Sequence, residues 1–189
     1  MLPCMTPPRA TGRRLSIDDW IQAGFALLAD GGPNALRIDR LCERLGVTKG
    51  SFYWHFADLH AYRTALLEAW GSLQDQDRQR FENSGDIEPR QRLKHMMTAV
   101  VGAQQWALER AMRVWALTDD DVAANVRRSD GRVFRAVYRA FVDAGFEPED
   151  AGVRSAVFFG AGMGVLHGAN PDDAPAETQE RFLDFVLRP

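Results

Sequence analysis

Apolar residues in this chain return every three or four positions from Ser16 nearly to the end. That is the helical period, and no stretch shows the two-residue alternation of strands with hairpin signals between them. Ile17, Ile21, Gly24, Phe25 and Leu28 make the first stripe, opened by Ser16 at the cap position and by Asp18 and Asp19 in the first turn. Gly31-Gly32-Pro33 ends that helix. Ile38, Leu41, Cys42 and Leu45 define a short second helix closed by Gly46. Thr48 is placed to cap a third, Lys49 to Phe56, and Val47 to staple onto Phe52. A longer fourth helix is predicted from Asp58 to about Phe81, broken by Asn83, Ser84 and Gly85. Pro89 suits the first turn of a fifth. The remaining pattern predicts helices over 89–105, 106–117, 120–144, 148–168 and 176–187, with Gly145 and Pro148 at one boundary and Asn170, Pro171 and Pro175 at another. The expected fold is all-α. A loose arm over 1–14 precedes a three-helix head over 15–57 and a larger helical body over 58–189.

The second and third helices are separated by a turn containing Gly46, the arrangement of a helix-turn-helix, whose second helix can lie in the DNA major groove. Ile38, Leu41, Leu45, Val47, Phe52 and Phe56 are the apolar positions that would hold the two helices at their crossing angle. Between them the third helix presents Thr48, Lys49, Gly50, Ser51, Tyr53, Trp54 and His55. Hydroxyls and a cation suit phosphates, and aromatic edges suit the sugar–phosphate wall or a thymine methyl. Gly50 would let the helix N-terminus approach the duplex closely. Tyr53 and Trp54 also admit a plainer role, shielding the core of the head.

The run Leu45-Gly46-Val47-Thr48-Lys49-Gly50-Ser51-Phe52-Tyr53-Trp54-His55-Phe56, with the helix before it and the helix start after it, resembles the TetR family of bacterial regulators. The resemblance covers about the first third of the chain. It implies a homodimer, binding to a palindromic double-stranded operator, action as a repressor, and release from DNA when a small molecule enters the body. Two positions depart from the family's usual pattern. Arg37 stands where Thr or Ser often caps the second helix, although its guanidinium can grip a phosphate. Leu59 stands where a Lys or Arg commonly meets phosphate, with His60 beside it as a substitute.

Charge adds a small asymmetry. The net charge is −3, yet residues 1–57 hold seven Lys/Arg against five Asp/Glu, so a mildly basic head sits on an acidic body. Hydrophobic residues at 46% and charged residues at 26% are ordinary for a globular chain, and no apolar run reaches the roughly 18 residues of a membrane span. The N-terminal stretch lacks the apolar core of a signal peptide, so a cytoplasmic location without membrane partners is expected. Cys4 and Cys42 offer no disulfide framework, and Cys42 reads as a small buried hydrophobe. His55, His60, His95 and His167 show no metal-ligand spacing. Gly160-Ala161-Gly162-Met163-Gly164 fails as a dinucleotide fingerprint because Val165 occupies the third glycine position and no strand precedes it. No cofactor, metal or catalytic residue is expected. The competing classes are a helical adaptor whose head does not bind DNA, and an enzyme with a polar cluster inside the body.

The body carries many large, soft side chains: Met96, Met97, Trp106, Met112, Trp115, Phe134, Tyr138, Phe158, Phe159 and Met163. They are core, cavity lining, or both. Trp106, Trp115, Tyr138, Phe159 and Met163 are the cavity candidates, with Arg113 or His167 as a polar anchor for a small, largely apolar effector. The small residues Ala156, Gly160 and Gly164 share one side of the 148–168 helix and would let another helix come close. In the family the last two long helices form the dimer interface. Val153, Val157, Phe182, Phe185 and Val186 then complete a candidate interface, with burial inside one subunit as the alternative.

Overall fold

The computed structural model describes residues 15–82, 87–99, 103–168 and 176–189. In chain order these form α1 (Ile17–Gly31), a 3-10 turn (Pro33–Ala35), α2 (Ile38–Leu45), α3 (Lys49–His55), α4 (Leu59–Glu82), α5 (Pro89–Ala99), α6 (Ala103–Trp115), α7 (Asp120–Asp143), α8 (Pro148–Gly168) and α9 (Ala176–Val186). Among the described residues there is no strand, and the fold is all-α. No described helix is long and apolar enough to cross a membrane. The expected arm over 1–14, the break at Asn83-Ser84-Gly85 and the boundary at Asn170, Pro171 and Pro175 lie outside the described residues.

Local chemistry sets the helix ends. Ser16 and Asp19 make a reciprocal capping box at the start of α1: Asp19 N–H donates to Ser16 Oγ at 3.2 Å, and Ser16 N–H donates to Asp19 Oδ2 at 2.7 Å. Gly46 closes α2 in the left-handed region at φ 66°, where a side chain would be strained. Asp119 caps α7 by accepting from the N–H groups of Asp121 and Val122. Thr48 takes the extended backbone of a cap residue before α3, but its hydroxyl accepts none of the helix N–H groups, contrary to the sequence expectation. Two further expectations are corrected. Of the expected α1 stripe Ile21, Gly24, Phe25 and Leu28 are buried, joined by Trp20, Ala23 and Leu27, but Ile17 in the first turn is 54% exposed. Residues 103–105 belong to α6 instead of extending the helix that begins at Pro89.

Two hydrophobic cores organise the chain. The first joins α1, α2, α3 and α4 to α6 and the first turns of α7, through Trp20, Leu28, Leu41, Phe52, Tyr62, Trp70, Met112, Trp115, Val122 and Val126. The head therefore shares its core with the body, and α1 lies along α6. The second core joins α5, α7, α8 and α9 through Leu93, Val137, Phe141, Ala151, Phe158 and Leu183. Helix α7 runs through both. Between them sits a polar joint. Trp70 Nε1 of α4 donates to Glu109 Oε1 of α6 at 2.9 Å, and Arg113 of α6 donates to Asp130 Oδ1 of α7 at 2.7 Å while lying 3.7 Å from Glu109. Burial pushes the Asp130 carboxyl above its usual value, although Arg113 pulls the other way.

The tightest junction is between α1 and α4. Tyr62, fully buried, donates its hydroxyl hydrogen to the carbonyl oxygen of Trp20 at 2.9 Å. Burial raises the phenol's pKa well above the usual range, so it stays a donor at any ordinary pH. Its ring meets Phe56 edge-on with centroids 5.0 Å apart and lies 5.7 Å from Phe52. This crossing requires Gly24. A Cβ at that position would stand 2.0 Å from the Tyr62 hydroxyl and 2.9 Å from Leu66 Cδ1. Gly24→Ala should therefore cost about 2–3 kcal/mol, although alanine is the better helix former. Adding Tyr62→Phe should restore part of the loss by removing the nearest atom. Urea unfolding of the single and double variants checks this, and a Gly24→Ala protein as stable as the parent would refute the close crossing.

Candidate nucleic-acid interface and ligand cavity

Helix α3 divides its residues cleanly. Phe52 is fully buried and Phe56, just past the helix end, is 6% exposed; both pack on Trp20, with ring centroids 5.5 and 6.4 Å from it. Tyr53 and Trp54 are 56% and 62% exposed, Tyr53 meeting the buried Phe52 edge-on with ring centroids 5.5 Å apart. Thr48, Lys49 and Gly50 are exposed, and Ser51 and His55 half-buried. Thr48 and the six candidates on α3 thus all keep some exposed surface. Trp54 and His55 stack edge-on with centroids 4.6 Å apart. At Gly50 a Cβ would meet only Thr48 Oγ1, at an ordinary 3.7 Å. The head itself does not need glycine there.

The flanking groups are less simply placed. Arg37 is exposed at the α2 cap but already engaged. Its Nε and Nη2 donate to Asp39 at 3.2 and 2.9 Å. Desolvation works to raise the Asp39 carboxyl, but the Arg40 N–H and the Arg37 guanidinium outweigh it and hold its pKa below the ordinary value. A phosphate would therefore compete with a neighbouring carboxylate for Arg37. Leu59 packs partly buried against the first core, whereas His60 is exposed beside it. Arg44 pairs with Asp30 at 2.9 Å, fastening the end of α2 to α1.

In the body, a cavity of about 280 Å³ lies among α5, α7, α8 and α9, lined chiefly by Met96, Met97, Val137, Phe158, Phe159, Met163, Leu166 and Phe182. Of the candidate ligand residues, Phe159 and Met163 line it. The others are elsewhere. Trp115 is buried in the first core beneath Arg63, whose guanidinium lies 5.7 Å from its ring centroid. Arg113 belongs to the polar joint with Asp130, and Trp106 donates to the Val165 carbonyl oxygen at 3.4 Å, tying α6 to α8. Tyr138 packs against the second core, and His167 is exposed. Phe182, expected at a dimer interface, faces the cavity, and Val186 is buried at 3% exposure. Val133, Gly162, Thr178 and Gln179 are lining residues that sequence reasoning missed, because a half-apolar helix gives no signal of which neighbour stops short of it. Among the described residues no group of three or more His, Cys, Asp or Glu side chains is gathered to hold a metal.

The remaining candidates form an outer face. Val153, Val157 and Phe185 are exposed at 65%, 46% and 65%, and Ala156, Gly160 and Gly164 are exposed along the same helix. A Cβ at Gly160 or Gly164 would meet nothing within 4 Å. A hollow of about 330 Å³ between α8 and α9, bordered by Val153, Val157 and Phe185, opens on this face.

These features define a helix-turn-helix head set on a helical body. Residues 21–58 match the model of the bacterial regulatory proteins of the tetR family. The tetracycline repressor protein class C of Escherichia coli is 45% identical over 49 residues, 26% of this chain and 22% of that repressor. The class A repressor from transposon 1721 is 43% identical over a stretch of the same length. The chain thus matches only about a fifth of the length of these curated relatives. Over the whole fold it is similar to a transcriptional regulator of the TetR/AcrR family from Thermobifida fusca, with a TM-score of 0.64 at 17% identity, covering 91% of this chain and 96% of that one. A protein from Saccharomonospora viridis solved in complex with choline gives a TM-score of 0.70 at 16% identity, with 91% and 95% covered. Residues 21–58 thus carry a helix-turn-helix of the tetR family of bacterial regulatory proteins, and the fold as a whole is that of its structurally characterised members.

Helix α9 frames the cavity and is clamped to α5 by charge. Glu180 accepts from Lys94 and from Arg90, the latter at 2.9 Å, and Arg90 also reaches Asp184 at 2.7 Å. The hydrogen bond from Lys94, then that from Arg90, holds the Glu180 carboxyl below its ordinary value, with desolvation opposing. A carboxyl depressed in the folded state stabilises it above the unfolded pKa, about 4.3 for Glu, and that contribution is lost as pH falls through the folded pKa. Glu180→Gln should therefore be less stable than the parent at neutral pH, and the gap should close as the solution is acidified to about pH 3. Urea midpoints across that range check it, and a constant gap would count against the clamp.

Proposed function

We propose that this chain is a DNA-binding transcriptional regulator, a repressor, that works in the cytoplasm as a homodimer on a palindromic operator. It is no enzyme in this reading. The arm (1–14), head (15–57) and body (58–189) form its working units, with Arg37, Thr48, Lys49, Gly50, Ser51, Tyr53, Trp54 and His55 facing DNA. A small, largely apolar molecule entering the body shifts it to an arrangement that leaves DNA. The complex with choline of the Saccharomonospora viridis protein supports a small-molecule role for a body of this fold.

The observation that carries the DNA reading is the exposure of Tyr53 and Trp54 beside Lys49 and Gly50, on a helix whose other side is locked into the core. Two large aromatics more than half exposed on a rigid helix leave most of their surface for a partner. Gly50 points the same way. It costs the isolated head about 1 kcal/mol relative to alanine and relieves no contact within it. An adaptor that had lost DNA binding would have no use for this combination.

The dimer reading rests on the outer face of α8 and α9. Exposed Val153, Val157 and Phe185 surround glycines that relieve no clash within one subunit, which suits close approach by the same helices of a second copy. Such an approach would space the two heads for the two halves of a palindrome.

The test begins with an operator selected from random DNA by the wild-type protein. Lys49→Ala should weaken binding to all sequences alike and flatten the salt dependence by about one unit of slope. Gly50→Leu should leave the melting temperature unchanged or higher and yet weaken binding at least about tenfold, by keeping the helix off the duplex. If both variants bind like the parent, α3 is not the reading helix. Sedimentation supplies the second arm. Gly160→Leu should shift the dimer toward monomer without lowering the monomer's stability, and a wild-type monomer at micromolar concentration would end the dimer reading.

A further inference from the structure

The cavity among α5, α7, α8 and α9 carries more information than the presence of an apolar void. Its volume, about 280 Å³, lies near the lower end of the range for small-molecule sites, about 300–1,000 Å³. At interior packing density it holds about 210 Å³ of van der Waals volume, the size of two or three linked rings. The wall is made of thioethers and aromatic rings, with Met96 and Met97 from α5, Phe158, Phe159 and Met163 from α8, and Phe182 from α9. Polar side chains among the described lining residues come only from Thr178 and Gln179, both on α9. Among the described lining residues no side chain is charged. The nearby cations and anions are committed outside: Arg90 and Lys94 to Glu180, and Arg113 to Asp130.

We infer that this cavity binds an uncharged hydrophobic molecule of two or three rings, or its aliphatic equivalent, bearing at most one hydrogen-bonding group directed to Thr178 or Gln179. An ion entering it would give up its hydration and find no counter-charge among the described lining residues, a cation meeting only the ring faces of Phe158, Phe159 and Phe182. A neutral ring system loses little on leaving water and meets polarizable sulfur and ring edges that adjust to its outline. The mouth lies where Ala161, Gly162 and Thr178 are exposed. Gly162 has a part in this. It lines the cavity, and a Cβ there would meet nothing within 4 Å, so its missing side chain keeps space open that the fold would allow to be filled. The inference rests on reading the body as the effector domain, and the experiment below uses no DNA so that the two readings fail separately.

The probes are a matched pair. N-phenyl-1-naphthylamine is neutral, and 8-anilinonaphthalene-1-sulfonate places an anion on the same skeleton. Fluorescence titration of the full chain should show saturable binding of the neutral probe, one per chain. The sulfonate should bind at least about a hundredfold more weakly at the displaceable site. 1-Octanol should displace the neutral probe, and octyltrimethylammonium should not. Two variants fill the space from opposite walls: Gly162→Leu on α8, which also removes a helix-interior glycine and should keep or raise the melting temperature, and Val133→Phe on α7. Each should weaken the neutral probe at least about tenfold while the protein stays folded by circular dichroism. No saturable binding of the neutral probe, or equal binding in both variants, would overturn the assignment of the cavity. Comparable affinity for the sulfonate, or displacement by the ammonium, would overturn the uncharged class. A protein that binds the neutral probe as described but never binds DNA would uphold the cavity and sink the regulator reading.

Discussion

The contact between Tyr62 and Trp20, with Gly24 beneath it, is the constraint from which the rest of the arrangement follows. One hydroxyl, donating at 2.9 Å into the backbone of α1, fixes how closely α4 crosses it. The same phenol ring closes an aromatic cluster with Phe52 and Phe56, so α3 is oriented by the helix that leads into the body. The outward direction of Tyr53 and Trp54 is a consequence of this. With Phe52 anchored against Trp20, the helical period carries Tyr53 and Trp54 away from the core. A rotation of α4 relative to α1 would have to break a buried hydrogen bond or carry the whole head with it, and the second is cheaper.

The route from cavity to head is physically continuous. Helix α7 contributes Val133 and Val137 to the cavity wall, Asp130 to the polar joint and Val122 and Val126 to the core shared with the head. The joint itself is an economical device. Glu109, 6% exposed, is held by the Trp70 indole N–H and lies near Arg113, which reaches across to Asp130. Buried charges contribute little net stability but enforce one geometry, because every alternative leaves an unpaired group behind. Spatial continuity alone does not demonstrate coupling. It identifies α4, α6 and α7 as the elements whose relative positions a bound molecule would have to change.

Much of this was legible in the sequence, and the parts that were not share a cause. Helix limits followed from period and punctuation: α2, α7 and α8 lie where the pattern put them to within a residue. The run from Lys49 to Phe56 alone was enough to single out α3 as the candidate DNA-reading helix. What failed was the assignment of large side chains to partners. Trp115 and Arg113 look like cavity residues in a list of soft and polar groups, but each is held in a contact between helices that sequence spacing cannot see, with Arg63 and with Asp130. Phe182 and Phe185 are three apart on α9, yet one faces the cavity and the other solvent. The apolar stripe of α9 is wider than one neighbour, and only packing decides where its edges go.

The glycines sort the molecule's constraints into internal and external ones. Gly24 is demanded from within, since any side chain would collide with Tyr62. Gly50, Gly160, Gly162 and Gly164 are in helices, where glycine weakens the chain by about 1 kcal/mol each relative to alanine. Around them the subunit offers open space or ordinary contact. Nothing within the subunit repays that loss of stability. Gly71, Gly131 and Gly152 are helical glycines with equally open surroundings elsewhere in the fold, whereas of these four one is at the start of α3, two are on the outer face of α8, and one is at the mouth of the cavity. Those are the three surfaces at which a duplex, a second subunit and a small molecule would have to come close to the backbone. At Gly50, Gly160, Gly162 and Gly164 the missing side chain leaves the helix backbone open to close approach. It is the coincidence with exposed Tyr53 and Trp54, with Val153, Val157 and Phe185, and with the cavity that gives these glycines, among all the helical ones, a use outside the subunit.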